Sequence, residues 1–212
     1  MRMHEATRLV AHSGCAMVLG YHIILSAYGF WLPNDPRGSW SDTIRVYELL
    51  RFGPATKVTT TRSVAHTPHD RAIRLAAKQA LMHDPVRFSG IQARAIARGF
   101  DIASREHGYV FHALAILPDH AHLVVRAHPR PIDDIAKHLK AKATRQLTLE
   151  SLHPFADDPR ADGTFPSPWA RNHWSPFIDL TEYLQKAIHY VNDNPVRSGL
   201  KQQHWSSVTR LS

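Results

Sequence analysis

LPDHAHLVV, residues 117–125, closes one element and opens the next. Pro118 and Asp119 turn the chain, and His120 to Ala127 then reads as a strand through Leu123, Val124 and Val125. The residues before it, YVFHALAI from Tyr109 to Ile116, read as a second strand. So short a connection makes the two antiparallel neighbours. Strand positions two apart share a face, so His120 and His122 stand side by side. Two imidazoles on one strand are a natural start for a metal site. The chain holds 16 histidines in 212 residues, and at that frequency about one His-x-His pair arises by chance. Spacing alone therefore leaves structural strand histidines as the competing reading.

Outward from this stretch the elements alternate. Tyr21 to Tyr28, YHIILSAY, is β-rich and predicts the first strand. GFWLPNDPRGSWSD, residues 29–42, is a turn-rich loop that opens an insertion over 29–70. Trp31, Arg37 and Trp40 have the chemistry to stack on bases or grip phosphate; the alternative is loop aromatics pinning the insertion to the body. Thr67-Pro68-His69-Asp70 predicts a helix start with Thr67 as cap, running to about His83. Ser89 caps a second predicted helix that Gly108 ends. Pro131 opens a third, to about Glu150, with Lys137, Lys140, Lys142 and Arg145 mostly off its apolar stripe. Those cations form either a solvated face or a phosphate-tracking one. Residues 151–168, rich in Pro, Asp and Gly, read as a flexible loop. Trp169 to Ile178 reads as a short strand weakened by Pro176. Asp179 with Glu182 resembles a capping box for a last helix, which should stop near Asn194 because Pro195 follows. Residues 1–19 have weak periodicity and read as a loose or helical arm.

Strand, helices, strand, strand, helix, strand, helix is an α+β order. Its economical form is a ferredoxin-like βαββαβ core: a mostly antiparallel sheet with helices packed on one face, here with an N-terminal insertion. Residues 1–212 read as a single domain. An apolar fraction of 43% supports a real core. No apolar run reaches membrane-spanning length, so no membrane partner is expected, and the reading is cytoplasmic. A single cysteine, Cys15, excludes an internal disulfide and a cysteine-rich zinc site. The net charge of +8 suits a polyanionic partner, most simply nucleic acid.

Tyr190 and Asn194 lie four apart near the end of the last helix, hence on one face. A phenol becomes a useful nucleophile when a metal ion polarises a phosphodiester beside it. Two neutral imidazoles with an amide oxygen leave positions open for phosphate, and they accept Mn²⁺ more readily than Mg²⁺. Tyr183 is the competing nucleophile, without the Asn-Pro that follows Tyr190. His112 and His189 read as structural, with His112 a candidate to support the metal ligands.

Two strings carry a family resemblance. LPDHAHLVV resembles the His-hydrophobe-His motif of the HUH endonucleases, in the form "PxHxHLLV" of single-tyrosine transposases. YVNDNPVRSGL, residues 190–200, resembles the "YIxxNPVRAGL" signature of the REP-associated tyrosine transposases. WARNHWSPFI, residues 169–178, is similar to the tryptophan-containing segment between them. The resemblance spans roughly residues 90–200, with Tyr21 to Tyr28 matching the first strand. It departs at Ala121, smaller than the usual middle residue, and at the 29–70 insertion, whose Asp35 and Arg37 lie in a loop that could reach the site.

The resemblance implies a metal-dependent nuclease and strand transferase acting on single-stranded or hairpin DNA, as monomer or homodimer. His120, His122 and Asn194 would hold Mg²⁺ or Mn²⁺. Tyr190 would attack the scissile phosphate and form a 5′-phosphotyrosine. Arg37, Trp40, Lys137, Lys140, Arg145 and Arg197 are the candidate DNA contacts. One rival is a domesticated hairpin-binding protein that does not cut; its pattern need not keep both histidines and the tyrosine. The other is a zinc hydrolase that joins the same pair to His112 or His128.

Overall fold

The computed structural model describes residues 17–60, 64–209 and 211. The N-terminal arm, with Cys15, lies almost wholly outside the described residues. The elements run β1 (Gly20–Ser26), a 3-10 turn (Tyr47–Phe52), α1 (Arg71–Gln79), α2 (Gly90–His107), β2 (Phe111–Ile116), β3 (His120–Arg126), α3 (Ile132–Leu149), β4 (Phe177–Ile178) and α4 (Thr181–Arg197). The sheet has four strands in the order β2-β3-β1-β4, and every neighbouring pair is antiparallel. That is the order and sense of the split βαββαβ unit, with β1 and β3 at the centre.

Alternation along the two central strands sorts their side chains. Ile23 and Leu25 of β1, Ala121, Leu123 and Val125 of β3, and Leu114 and Ile116 of β2 face α2 and α3, which supply Ile96, Phe100, Ile135, Leu139 and Leu147 to the main core. A register shift beside His112 brings Phe111 onto this face too. The two helices meet backbone to backbone. A Cβ on Gly99 would stand 2.6 Å from the Ala143 Cα.

The opposite face carries a second, smaller core. Ala113, Ala115 and Val124 meet Ile178, Leu184 and Val191 there. The expectation of helices on one face therefore holds for α2 and α3, while α4 covers the other side. The register is decisive for the site. His22 pairs with Val124, Ile24 with His122, and Ser26 with His120. His22, His120 and His122 thus share the α4 face.

Local chemistry sets the boundaries. Ser89 and Gln92 form a reciprocal capping box on α2, and Gly108 ends it in the left-handed region at φ 73. α1 is capped by Asp70, whose carboxylate accepts from the Ala72 and Ile73 amides, three residues later than Thr67 would place it. At α4 the Asp179–Glu182 box does not form: the N-cap is Leu180, with no side-chain bond. α4 also runs through Pro195 to Arg197. Proline's missing N–H deletes one bond in the final turn, and Ser198 closes that turn onto the carbonyls of Asn194 and Pro195. Between Trp169 and Ile178 only Phe177–Ile178 is regular strand. The stretch before it still follows β1, through bridges Ala27–Trp169 and Ile24–Trp174. The segment 151–168, read as a loose loop, is anchored by Phe155 in the main core and by buried His153 stacked on Phe165. The insertion has a small core of its own, Leu32 and Leu49 against Ala77 of α1. No described helix is long and apolar enough to cross a membrane.

Candidate metal and tyrosine site

β3 presents His120 and His122 side by side, their rings edge to face with centroids 4.6 Å apart. Each ring is held at Nδ1. His120 Nδ1 lies 2.7 Å from Asp119 Oδ1, and His122 Nδ1 lies 3.0 Å from His22 Nε2. Each Nε2 is left without a protein hydrogen bond. His120 is also stacked flat on Phe30, at 4.8 Å and 6° between planes. His122 is nearly buried. Desolvation, helped by the like charges of His120 and His22, holds its basicity well below the ordinary value. Burial also pushes His22 down to about 4. Both are neutral imidazoles near pH 7, the form that binds metals. At Asp119 burial acts upward, but the hydrogen bond and charge of His120, with Arg87, outweigh it and keep the carboxylate below its usual range.

α4 lays Tyr190 across this group. Its ring centroid is 5.7 Å from that of His122 and 5.9 Å from that of His22, edge to face in both cases. The tyrosine is 41% exposed, so a substrate can reach it. The Arg197 guanidinium sits 5.9 Å from the ring centre and is oriented by Asp193 at 3.7 Å. Tyr183 has Lys186 over its ring and no contact with the histidines. Asn194, one turn beyond Tyr190, is buried, and its amide nitrogen has no hydrogen-bond partner. A buried amide N–H without a partner is the kind of group that a bound acceptor, such as a phosphate oxygen or water, satisfies.

The other candidates separate. Trp40 packs on Trp174 at 5.7 Å, and Trp174 in turn meets His22 edge-on at 5.5 Å. Beside this pair lies a cleft of about 410 Å³ lined by Trp40, Lys137, Lys140 and Arg171, among others. Lys140 turns its ammonium onto the carbonyls of Ala170, Arg171 and Asn172, and burial pushes it down to about 8. It therefore builds the cleft wall. Lys137 is paired with Asp134 at the surface. Arg37 grips the buried Asp35 through both oxygens and lies 3.8 Å from the Trp31 ring centre. Trp31 donates to the Gly38 carbonyl. These three hold the insertion together. Arg145 is exposed on α3.

His112 is buried near the Thr209 carbonyl, and His128 bonds the His107 carbonyl. Among the described residues, no group of three or more His, Cys, Asp or Glu is placed to hold a metal ion. The zinc-hydrolase rival needs such a group. His22, Phe30 and Trp174 were not singled out from sequence. Only the β1–β3 register reveals His22, since in YHIILSAY it looks like any strand polar residue.

No family model matches the chain, and no curated protein matches it. Among solved structures it is similar to a REP-associated tyrosine transposase bound to a REP hairpin, at 11% identity over 99% of each chain, with a TM-score of 0.45. It is also similar to a candidate transposase from Deinococcus radiodurans R1, at 16% identity over 90% of this chain and 97% of the other, with a TM-score of 0.38. Likeness at this level gives no residue of the present chain a role. The site stands on its own geometry.

Proposed function

We propose that this chain is a metal-dependent endonuclease and strand transferase for single-stranded or hairpin DNA, a transposase of the HUH type with Tyr190 as its nucleophile. One observation carries the reading: Tyr190 sits in ring contact with His122, although the two are far apart in sequence. A His-x-His pair is cheap in a histidine-rich chain; an exposed tyrosine packed against it is not.

The donor set fits a divalent cation. His120 and His122 are each held at Nδ1, which leaves Nε2 to ligate, and Asn194 would add its amide oxygen while its unmatched N–H meets a substrate acceptor. Mg²⁺ or Mn²⁺ held by these three would polarise the phosphate oxygens. The remaining work belongs to side chains. The exposed Tyr190 oxygen bonds to phosphorus as the bond to the 3′ oxygen breaks. The phenolic proton passes to solvent, and the departing 3′ oxygen takes one up. The products are a 5′-phosphotyrosine and a free 3′-OH, which can reverse the step or be replaced by another strand's hydroxyl. Arg197, near the tyrosine ring, would meet phosphate charge. Trp40, lining a cleft with Lys137, would hold the adjoining single strand. The ring contact between Tyr190 and His122 within one chain supports a site that a monomer would complete.

Incubation with a single-stranded hairpin oligonucleotide and Mn²⁺ or Mg²⁺ should give a covalent adduct that Tyr190→Phe abolishes. Tight binding with no adduct under any divalent metal would instead make the chain a hairpin-binding protein.

A further inference from the structure

We propose that His22 is a positioning residue: it accepts a hydrogen bond from His122 Nδ1 and so holds His122 in the tautomer whose Nε2 carries a lone pair. The inference rests on the reading of His120 and His122 as metal ligands, and it assigns the job that fixes one of them.

The argument starts from one contact, His22 Nε2 to His122 Nδ1 at 3.0 Å. One proton lies between these nitrogens, and it can belong to either ring. If His22 donates, His122 must carry its own proton on Nε2 and cannot ligate through that atom. If His122 donates, its Nε2 is free. His120 supplies the parallel case. Its Nδ1 faces the Asp119 carboxylate, which can only accept, so the His120 proton lies on Nδ1 and its Nε2 is bare. A site using both histidines through the same nitrogen needs the same tautomer at His122, and among the described residues His22 is the group at that ring's Nδ1 within hydrogen-bonding distance. Acceptors behind metal-binding imidazoles do this work generally.

Position supports the assignment. His22 stands on the central strand β1, opposite Val124 and two pairs along from Ile24–His122, hence on the same face. Trp174 meets its ring edge-on from one element and Tyr190 from another. The ring is thus clamped while its Nε2 faces His122. The same clamp places it against the proposed nucleophile, so a change at His22 reaches ligand and tyrosine together.

The test uses the full-length, metal-free protein without DNA. Long-range ¹⁵N–¹H NMR should read His122 as the Nδ1–H tautomer; the Nε2–H tautomer overturns the proposal. Titration with Mn²⁺ alone, followed by calorimetry or by the loss of the free-ion EPR signal, gives a second readout. His22→Leu, which removes the acceptor, should weaken Mn²⁺ binding about 10- to 100-fold. His22→Gln, which can present a carbonyl oxygen, should recover most of it. A folded His22→Leu protein that binds Mn²⁺ like wild type overturns the role of His22 and leaves the metal site standing. Mn²⁺ binding that is absent in wild type, or unchanged by His122→Ala, overturns the metal site and this inference together. If His22→Leu does not fold, the wild-type NMR assignment decides alone.

Discussion

Acid should unfold this protein earlier than its carboxylates would dictate, and the half-buried His22 sets the size of the effect. In the unfolded chain that imidazole takes a proton as the pH falls through its ordinary value of 6.5; in the fold, burial delays protonation to about 4. Between those values the unfolded state binds the extra proton, so stability present above the upper value is lost as pH falls toward the lower one. At about pH 4.5 the linkage relation gives a loss near 2.5 kcal/mol from this group alone. His122 is shifted the same way and adds to it. The measurement is urea unfolding followed by tryptophan fluorescence, in chelator to exclude metal, at about pH 7 and about pH 4.5. Wild type and His22→Asn are compared, because subtraction removes the titrating groups that do not touch His22. Wild type should lose about 2 kcal/mol more than the variant on acidification. Equal losses in the two proteins would refute the claim that His22 stays neutral in the fold.

Other expectations concern fold and surface. Gly99→Ala sets a methyl against the Ala143 backbone, which no rotamer change relieves; it should cost about 2–3 kcal/mol and lower the melting temperature by about 5–10 °C. Ser89→Ala removes one half of the α2 capping box and should cost about 1 kcal/mol in the same melt. Trp40→Ala should weaken binding of a single-stranded oligonucleotide by about 1–3 kcal/mol in an anisotropy titration, with a melting temperature near wild type. An unchanged affinity would remove the Trp40–Trp174 wall from the DNA path.

Much of the architecture was legible because it rests on local rules. Alternation placed His120 and His122 on one face, the Pro118-Asp119 turn paired β2 with β3, and Ser89 marked the start of α2. Errors arose where two local signals competed. Thr67 and Asp70 are both good caps, and the one whose carboxylate reaches two amides wins. Pro195 should end a helix, yet α4 runs two residues past it. The site was half legible. Its tyrosine and histidines are written in the sequence, but their meeting depends on α4 crossing to the second face of the sheet, which no periodicity reports. His22 depends on strand register, and Phe30 on the fold of an insertion. Arg37, read as a phosphate contact, is taken up by an acid two residues away.

The two faces of the sheet are unequally buttressed. α2 and α3 share the large core, whereas six buried side chains form the cluster between α4 and the sheet. Local opening follows buried apolar contact, so α4 is the layer expected to lift first, with amide exchange faster there than in α2 or α3. In the proposed mechanism, Tyr190 on that layer would remain joined to the 5′ phosphate while the free 3′ end leaves. A loosely hinged helix would let the tyrosine carry a captured strand away from the histidines and bring it back to a different hydroxyl.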